Sequence, residues 1–546
     1  MSDHAATVAA LLRARADDDG DALRFEGRTW TWRQVVEEAN RRAHVLESLL
    51  PAGQPPHVGV MLENVPEYLF VMSGAALVGA VVVGINPTRR GAERAADIRH
   101  TDCQLIVTDA RRDELVGEDI GVADDRVFDS DSEPWQALVA AAPTTAPDID
   151  VDPSTLFLLI FTSGSTGAPK AVKCSQGRIA RGGALGFSAD DVLYCSMPLF
   201  HGNALWSNWV PAIASGSTVV LKRRFSASTF LDDVREHDVT FVNTVGRALA
   251  YVLATPPTEH DKDHSLKFVM APESAAPDVR AFKKRFGCYV VEGYGSSEGA
   301  ISLAPGKDTP KGALGRPVGD MDIAVVDPET LLECPPARFD GEGALLNASE
   351  AIGELVRRDA TSTFEGYYRN EEAEAERRRN GWFWSGDLVY KDDAGELYFA
   401  GRTGDWVRVD GENFAAAPVE RIIGRHEPVA GVAVYAVPDP RTGDQVMAAI
   451  ELRPGAELDL DAFQGFLDEQ PDLGTKWAPR FVRVVDALPA TATNKLDKKP
   501  LKQARWEAPA VWWRPARDAA WAPVTAEVVE QLRADFTAND RSHLLT

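Results

Sequence analysis

The spacing of apolar positions predicts a chain that alternates amphipathic helices with short buried strands. Residues 31–50 place apolar side chains three and four positions apart, which is the period of a helix with one buried face. Apolar runs of five or six residues, short enough to be strands, occur at 58–62, 80–85, 105–109, 218–222, 241–245 and 267–272. Because helical patterns join several of these runs, they predict βαβ units in a mostly parallel sheet with right-handed connections.

The apolar stretch at residues 69–85 is the segment that most resembles a membrane span. It is about 17 residues long, contains three glycines and ends in Asn86-Pro87, whereas a spanning helix needs about 20 apolar residues. Its second half is β-branched. The pattern therefore favours a buried helix, a tight turn and a buried parallel strand.

The pattern changes from about Gly353 to shorter, charged segments punctuated by glycine. These segments predict antiparallel hairpins, with a turn at residues 393–395. An α+β stretch follows to about residue 503, and the tail from 504 holds Trp506, Trp512, Trp513 and Trp521. This aromatic density favours a clamp that packs the tail onto the body of the protein over a platform for a ligand.

Composition and charge narrow the class of protein. The 546 residues include 58 Lys and Arg against 82 Asp and Glu, a net charge of −24. Such an acidic chain is unsuited to nucleic acid or to anionic membranes, so we expect no nucleic-acid partner and at most local membrane contact. From the apolar stretch at 69–85, which is too short to span, we also expect no transmembrane segment. The five cysteines are scattered without a CxxC pair, and the first residues show no secretory signal, so we expect a cytoplasmic protein.

The segment 156–173 carries the most informative chemistry. An apolar strand runs into a loop of small and hydroxyl residues that ends in Pro169-Lys170. Backbone N–H groups, hydroxyls and an ammonium in such a loop suit the binding of a polyphosphate. The Gly-Lys-Ser/Thr ending of a P-loop is missing, which disfavours that class of NTPase. The candidate phosphate-binding residues are Thr162, Ser163, Gly164, Ser165, Thr166, Gly167 and Lys170.

Five further motifs follow in order: Tyr-Gly-Ser-Ser-Glu at 294–298, Ser-Gly-Asp at 385–387, Gly-Arg-Thr-Gly-Asp at 401–405, Gly-Glu-Asn at 411–413, and a lysine at 495. With the loop, they resemble the motifs of the adenylate-forming superfamily of acyl-CoA synthetases, luciferases and non-ribosomal adenylation domains, over nearly the whole chain. Residues 221–257 and the Phe-Glu-Gly-Tyr-Tyr segment at 364 are similar to the fatty-acid-transport and very-long-chain acyl-CoA synthetase branch. That resemblance implies a bulky apolar acid, either a long or very long fatty acid or a steroid side-chain acid.

The resemblance also implies a nucleotide site. Glu298 would coordinate Mg²⁺, Ser297 would hydrogen-bond the α-phosphate, and Tyr294 would lie against adenine. Asp387 would accept hydrogen bonds from both ribose hydroxyls, and Arg402 would add a second ribose or phosphate contact. Both reactants are anions, so catalysis requires positioning and charge neutralisation.

The implied catalytic lysine is Lys495, which would bridge the acid's carboxylate and the α-phosphate. A hinge at Gly404 would then turn the C-terminal domain, and Gly411 would line the route of the CoA thiol. His201, in the Pro-Leu-Phe-His-Gly-Asn segment at 198–203, either gates or contacts the acid's carboxylate, or is a hydrogen-bonded wall residue; the sequence leaves both readings open.

The fold implied is α/β: a large N-terminal portion of residues 1–401 with two parallel-sheet subdomains and a small β-barrel, a hinge at 402–404, a mobile C-terminal α+β domain at 405–503 and the tail at 504–546. The function implied is an ATP-dependent ligase that joins an apolar acid to CoA through an acyl-AMP. Three alternatives stay open: loading of a carrier protein, a non-catalytic lipid-binding protein on a degenerate scaffold, and a luciferase-type oxygenase, disfavoured only by the branch resemblance. A homodimer also stays open.

Overall fold

The structure, a computed structural model, describes residues 7–162, 170–272, 274, 276–310, 312–341, 345–359, 364–402, 406–409, 412–441, 443–474, 476–491, 495–516, 518–539 and 541–545. The chain divides into two compact units. Unit 1 comprises Met1–Ser302 and Thr361–Glu376, and unit 2 comprises Leu303–Ala360 and Arg377–Thr546. Among the described residues no helix is long and apolar enough to cross a membrane.

Unit 1 contains a six-stranded sheet whose strands are parallel except for the last pair. In spatial order the strands are Val127–Asp129, Leu105–Thr108, His57–Met61, Val81–Gly84, Leu156–Thr162 and Lys170–Ser175. Three of them coincide, to within one residue at either end, with the apolar runs predicted at 58–62, 80–85 and 105–109. The buried strand Val81–Gly84 follows the helix Pro66–Val78 through Gly79, which is left-handed with φ +69°. The helix, turn and strand predicted for residues 69–85 are therefore confirmed.

The second sheet of unit 1 has seven strands. In spatial order they are Tyr289–Val291, Phe268–Met270, Phe241–Asn243, Val192–Cys195, Thr218–Leu221, Asp21–Phe25 and Arg28–Thr31, all parallel except the terminal hairpin. A cluster of buried aromatic and aliphatic side chains, including Tyr194, Phe230 and Phe282, packs on this sheet. The parallel sheet predicted from the alternating pattern is thus observed twice.

Helices cover both sheets of unit 1. The α-helices are Val8–Arg13, Trp32–Leu49, Pro66–Val78, Gly91–His100, Glu133–Ala141, Gln176–Ala180, Gly202–Ala204, Val210–Ser215, Phe230–Glu236, Gly246–Leu253, Ala276–Phe286 and Glu371–Arg377, with 3₁₀ turns at Ala110–Glu114, Asp124–Arg126 and Arg181–Ala184 and a π-helix at Leu205–Trp209. The helix predicted at 31–50 spans Trp32–Leu49. Thr31 begins it with a capping box, because its hydroxyl accepts from the Gln34 N–H and the Gln34 side chain accepts from the Thr31 N–H.

Unit 2 is built from antiparallel strands and a smaller α+β portion. Its five-stranded antiparallel sheet contains Ile323–Val326, Gly353–Arg357, Arg378–Arg379, Trp382–Lys391 and Leu397–Arg402, and shorter strands are Ser302–Ala304, which starts in unit 1, Arg316–Pro317, Trp406–Val409 and Glu412–Ala415. The hairpins predicted after Gly353 are confirmed, and Gly395 (φ +86°) lies in the predicted turn.

The tail contributes two strands to a second five-stranded sheet in unit 2. The strands of this sheet are Val429–Pro438, Asp444–Leu452, Phe481–Val485, Val511–Trp513 and Ala522–Pro523, and the helices of the unit are Ala348–Ala351, Ala416–Ile423, Leu460–Asp468, Lys499–Ala504 and Ala526–Ala538, with a 3₁₀ turn at Ser542–Leu545. Trp506 is 1 % exposed, and its ring stacks on Phe481 and Phe536. The Trp506 end of the tail is therefore core, as the clamp interpretation requires. The predicted domain boundaries at 401, 404 and 503 stay predictions.

Candidate functional site

The candidate phosphate loop connects two antiparallel strands of the six-stranded sheet. Thr162 ends one strand and Lys170 begins the next, and the two residues are paired in register. The Thr162 hydroxyl donates to the Lys170 carbonyl over 3.4 Å. The predicted residues between them, Ser163, Gly164, Ser165, Thr166 and Gly167, lie outside the described residues. The strand pair thus fixes both ends of the loop.

Lys170 is a buried ammonium at the end of this loop. Its side chain is 5 % exposed, and Nζ lies 3.1 Å from Oε2 of Glu376, whose side chain is 50 % exposed. An opposite charge at this distance stabilises a cation that has lost most of its water. Glu376 belongs to the helix Glu371–Arg377 and carries no sequence motif that could have revealed it.

The candidate metal ligand Glu298 lies in a turn after the edge strand Tyr289–Val291. Tyr294 lies in the short strand Tyr294–Gly295 that precedes this turn, and Ser297 lies in the turn itself; both are partly buried, whereas Glu298 is 7 % exposed. The buried guanidinium of Arg178 holds the turn from one side, because it donates to the Ser297 carbonyl and to the Lys173 carbonyl, the latter over 2.8 Å. The turn that carries Glu298 is therefore anchored to the chain that leaves the phosphate loop.

Tyr367 holds the same turn from the other side. Its hydroxyl donates to Oε1 of Glu298 over 2.7 Å, and the Tyr367 residue is 3 % exposed. In the sequence, the Phe-Glu-Gly-Tyr-Tyr segment indicated only a branch of the superfamily, and the contact between Tyr367 and Glu298 was not predicted. The 69 positions between the two residues explain why, since no local pattern connects them.

The carboxylate of Glu298 suits a hard divalent cation. Mg²⁺ is commonly held by one or two carboxylates together with the phosphates of a substrate, without a cage made by protein alone. Within the described residues, no group of three or more His, Cys, Asp or Glu side chains forms such a cage. The donor set at Glu298 thus fits a cation that arrives with a nucleotide.

His201 lies in a tightly packed segment at the carboxyl ends of both parallel sheets. It precedes the short helix Gly202–Ala204, and its N–H donates to the Pro198 carbonyl over 3.1 Å. A Cβ at Gly202 would lie 2.0 Å from the ring of Trp206, so only glycine allows this approach. The π-helix Leu205–Trp209 follows directly, and such distortions are frequent at functional sites.

A buried amide network lines the adjacent strand end. The Asn243 amide donates to the side-chain oxygens of Asn203 over 2.9 Å and Asn208 over 3.0 Å, and the Ser207 hydroxyl donates to Asn203 over 3.2 Å. Burying an amide N–H costs free energy unless it is paired in this way. The network fixes the helix after His201 against the end of strand Phe241–Asn243, where α/β proteins bind their ligands.

Unit 2 brings together the two candidate ribose ligands. Asp387 and Arg402 are cross-strand partners in the antiparallel hairpin, so their Cα atoms lie about 5 Å apart. The side chain of Arg402 lies outside the described part of the structure. The buried carboxylate of Glu354 holds the strand beside Asp387, because it accepts from the Gly386 N–H over 2.8 Å. Burial raises the pKa of Glu354, although this N–H and nearby arginines oppose the rise.

Lys495 is partly buried in unit 2, and it exchanges two hydrogen bonds with Thr491. Its N–H donates to the Thr491 hydroxyl over 3.2 Å, and its carbonyl accepts from the Thr491 N–H over 2.8 Å. Nearby, Lys498 pairs with Glu420 over 2.9 Å. The predicted hinge residue Gly404 and the predicted tunnel residue Gly411 lie outside the described residues.

Comparison with known proteins agrees with this arrangement. A family model described as AMP-binding enzyme matches residues 12–368, and one described as AMP-binding enzyme C-terminal domain matches 418–495. The chain is 53 % identical to a steroid-22-oyl-CoA synthetase of Rhodococcus jostii over 92 % of this chain and 91 % of that protein. It is 45 % identical to the medium/long-chain-fatty-acid CoA ligase FadD17 of Mycobacterium tuberculosis, over 91 % of this chain and 96 % of the ligase.

Solved structures support the fold. The structure of ATP-bound MatB from Rhodopseudomonas palustris has a TM-score of 0.80 at 23 % identity, and covers 91 % of this chain and 98 % of its own. The anthranilate CoA ligase AuaEII in complex with anthranoyl-AMP has a TM-score of 0.78 at 23 % identity, with 91 % and 97 % covered.

Proposed function

From the premise that this chain belongs to the AMP-binding enzyme family and is an acid-thiol ligase within it, we propose that it joins a steroid side-chain acid to CoA at the expense of ATP. The observation that carries the steroid substrate is the 53 % identity to a steroid-22-oyl-CoA synthetase along 92 % of the chain. A medium or long linear fatty acid is the second candidate, supported by the 45 % identity to FadD17.

In the proposed reaction, the acid's carboxylate oxygen attacks the α-phosphorus of ATP, which gives an acyl-AMP and pyrophosphate. The thiol of CoA then attacks the acyl carbonyl, and AMP leaves as the thioester forms. The phosphate loop with Lys170 would bind the triphosphate, and Tyr294, Ser297, Asp387 and Arg402 would hold the nucleoside and α-phosphate. These groups place two anions in reacting distance and offset their repulsion.

Lys495 would neutralise charge where the acid's oxygen meets the α-phosphorus. Glu298 would hold Mg²⁺, which supplies positive charge at the phosphate oxygens when it is bound with the nucleotide. His201, which directly precedes the short helix Gly202–Ala204, would line the entrance of the acyl site. Gly411 would line the path of the CoA thiol.

The first experiment is pyrophosphate release by the purified protein with ATP and Mg²⁺. The acids would run from acetate to a linear C26 acid and include steroid acids with C22 and C24 side-chain carboxyls, each with and without CoA. We expect release and thioester formation with at least one steroid acid, at a higher kcat/KM than with linear acids. A higher value for linear acids would reassign the substrate to the second candidate.

Two other outcomes would replace the proposal. Acid-dependent exchange of pyrophosphate without a CoA thioester would indicate a ligase that loads a carrier protein. Binding of ATP with no release for any acid would indicate a lipid-binding protein on a degenerate scaffold.

Lys495→Ala separates the two half-reactions. We expect acyl-AMP formation to fall by about 10² to 10³, as for the loss of one group that stabilises transition-state charge, while thioester formation from supplied acyl-AMP stays within about threefold. Lys498→Ala is the matched control, because Lys498 pairs with Glu420 and has no proposed role; it should leave both steps near wild type. Equal losses in both steps for Lys495→Ala would contradict the assignment.

A further inference from the structure

Residues 364–370, which we name the strap, are tied along the strand that leaves the phosphate loop. The Lys173 N–H donates to the Gly366 carbonyl over 3.0 Å, and the Tyr368 N–H donates to the Ala171 carbonyl over 2.8 Å. Val172 and Tyr367 form an antiparallel bridge. The strap therefore extends the six-stranded sheet beside the strand Lys170–Ser175.

The side chain of Glu365 and a turn at Gly366 hold the first residues of the strap in place. The Glu365 carboxylate accepts from the N–H and the hydroxyl of Ser175, each over 2.6 Å. Gly366 has φ +89°, and a Cβ there would lie 2.2 Å from the Glu374 carboxylate, so the turn requires glycine. The backbone of Tyr367 is consequently held against the strand Lys170–Ser175.

Tyr367 and Tyr368 both donate to carboxylates, but to different ones. Tyr367 donates to Oε1 of Glu298 over 2.7 Å, and Tyr368 donates to Asp102 over 2.8 Å. The guanidinium of Arg369 also pairs with Asp102, so the contact between Tyr368 and Asp102 is a structural anchor of the strap. Among the described residues, Oε1 of Glu298 accepts the bond from Tyr367 and Oε2 accepts none.

We propose that Tyr367 is a positioning residue for the cation of the ATP complex: its hydroxyl fixes the rotamer of Glu298 so that Oε2 is presented to the metal. This inference rests on the proposed function, since that function supplies the metal and the nucleotide. A hydrogen bond to a metal-ligating carboxylate typically contributes about 10- to 100-fold to metal affinity or activity. Lys170 begins the strand Lys170–Ser175, and the strap beside that strand carries Tyr367, which bonds Glu298. The candidate metal ligand and Lys170 are therefore held by the same strand.

The test uses Mn²⁺ as the probe, measured by the electron paramagnetic resonance signal of free Mn²⁺ in the presence of α,β-methylene-ATP, which cannot react at the α-phosphorus. For Tyr367→Phe we expect the Mn²⁺ affinity of the enzyme–nucleotide complex to fall about tenfold, with metal-free nucleotide affinity unchanged. The ring of Tyr367 packs against Phe364 with centroids 5.1 Å apart, and Phe retains this packing.

Tyr368→Phe is the matched control, because it removes an equally short hydroxyl–carboxylate bond from the neighbouring position of the strap. It should leave Mn²⁺ affinity within about twofold of wild type. An equal loss in both variants would mean that the strap acts only as structure, and unchanged or tighter Mn²⁺ binding in Tyr367→Phe would overturn the proposal directly.

Glu298→Gln completes a double-mutant cycle and covers the case in which Tyr367→Phe is unstable. If Tyr367 acts through Glu298, Tyr367→Phe should weaken Mn²⁺ no further in the Glu298→Gln background; additive losses would overturn the proposal. If the wild-type protein releases pyrophosphate but Tyr367→Phe binds Mn²⁺ with unaltered affinity, the positioning role of Tyr367 is rejected while the proposed function stands. A wild-type protein that neither releases pyrophosphate nor binds Mn²⁺ with the nucleotide would reject the proposed function and this inference together.

Discussion

At the scale of single residues, Lys170 and Glu376 form an asymmetric ion pair, with a buried ammonium and a half-exposed carboxylate. A triphosphate that binds Lys170 competes with Glu376 for the same cation. We therefore expect Glu376→Gln to lower the Kd for ATP by about two- to fivefold, within the range of partly exposed ion pairs, with kcat unchanged. Isothermal titration with ATP would measure the change.

The control for Glu376→Gln is Glu372→Gln, which removes the same charge from an exposed position of the same helix. It should leave the Kd within error of wild type. An unchanged Kd for Glu376→Gln, or an equal drop in both variants, would show that the pair does not compete with the nucleotide.

Residues that carry a motif were predictable, and residues that support them were not. Lys170 and Glu298 stand in short sequence patterns with recognisable chemistry, and the structure places each beside a partner from a distant part of the chain. Those partners, Glu376 and Tyr367, are 206 and 69 positions away. Tertiary contacts bring these partners close, and such contacts leave no periodic trace in a sequence.

At the scale of elements, the helix Gly91–His100 contains a buried acid, Asp97, whose ionised form lowers the free energy of unfolding. Asp97 is 3 % exposed and pairs with Arg89 over 2.8 Å, yet burial raises its pKa to about 6. Its folded pKa lies above the unfolded value, so the stability it contributes is lost as the pH rises through about 6. Asp97→Asn should therefore stabilise the protein by about 2 to 3 kcal/mol at about pH 8.

The advantage of Asp97→Asn should shrink by about 1 kcal/mol at about pH 5.5, where the acid is largely protonated in the folded protein. Urea unfolding of both proteins at the two pH values would measure this difference. Asp119→Asn is the control, because its side chain is 94 % exposed, and it should show no such pH dependence. A constant difference across the two pH values would contradict the argument.

Regular elements were predicted best where one face or both faces of an element are buried. The run Val81–Gly84 is buried at every position, and the helix Trp32–Leu49 buries one side, so burial alone explains both patterns. The order in which the strands pair within each sheet could not be predicted from the sequence. The hairpin Asp21–Phe25 and Arg28–Thr31, for instance, pairs with a strand of the seven-stranded sheet that follows 196 positions later in the chain, as between Leu23 and Val219.

At the scale of the whole molecule, the division into two units predicts two separable unfolding transitions, each sensitive to its own core. Trp506 is 1 % exposed in unit 2 and Trp135 is fully buried in unit 1. Loss of a buried tryptophan costs about 3 to 5 kcal/mol. In calorimetry, Trp506→Ala should lower one transition and Trp135→Ala the other, each by several degrees.

The paired variants also decide what the tail does. If the tail were a ligand platform beside the core, Trp506→Ala would leave both transitions in place and would weaken binding of the acid. Because Trp506 stacks between Phe481 and Phe536, and Trp513 extends the sheet beside Phe481, we expect the unit 2 transition to fall while the unit 1 transition stays within about one degree. A single transition that both variants lower equally would mean that the two cores unfold together.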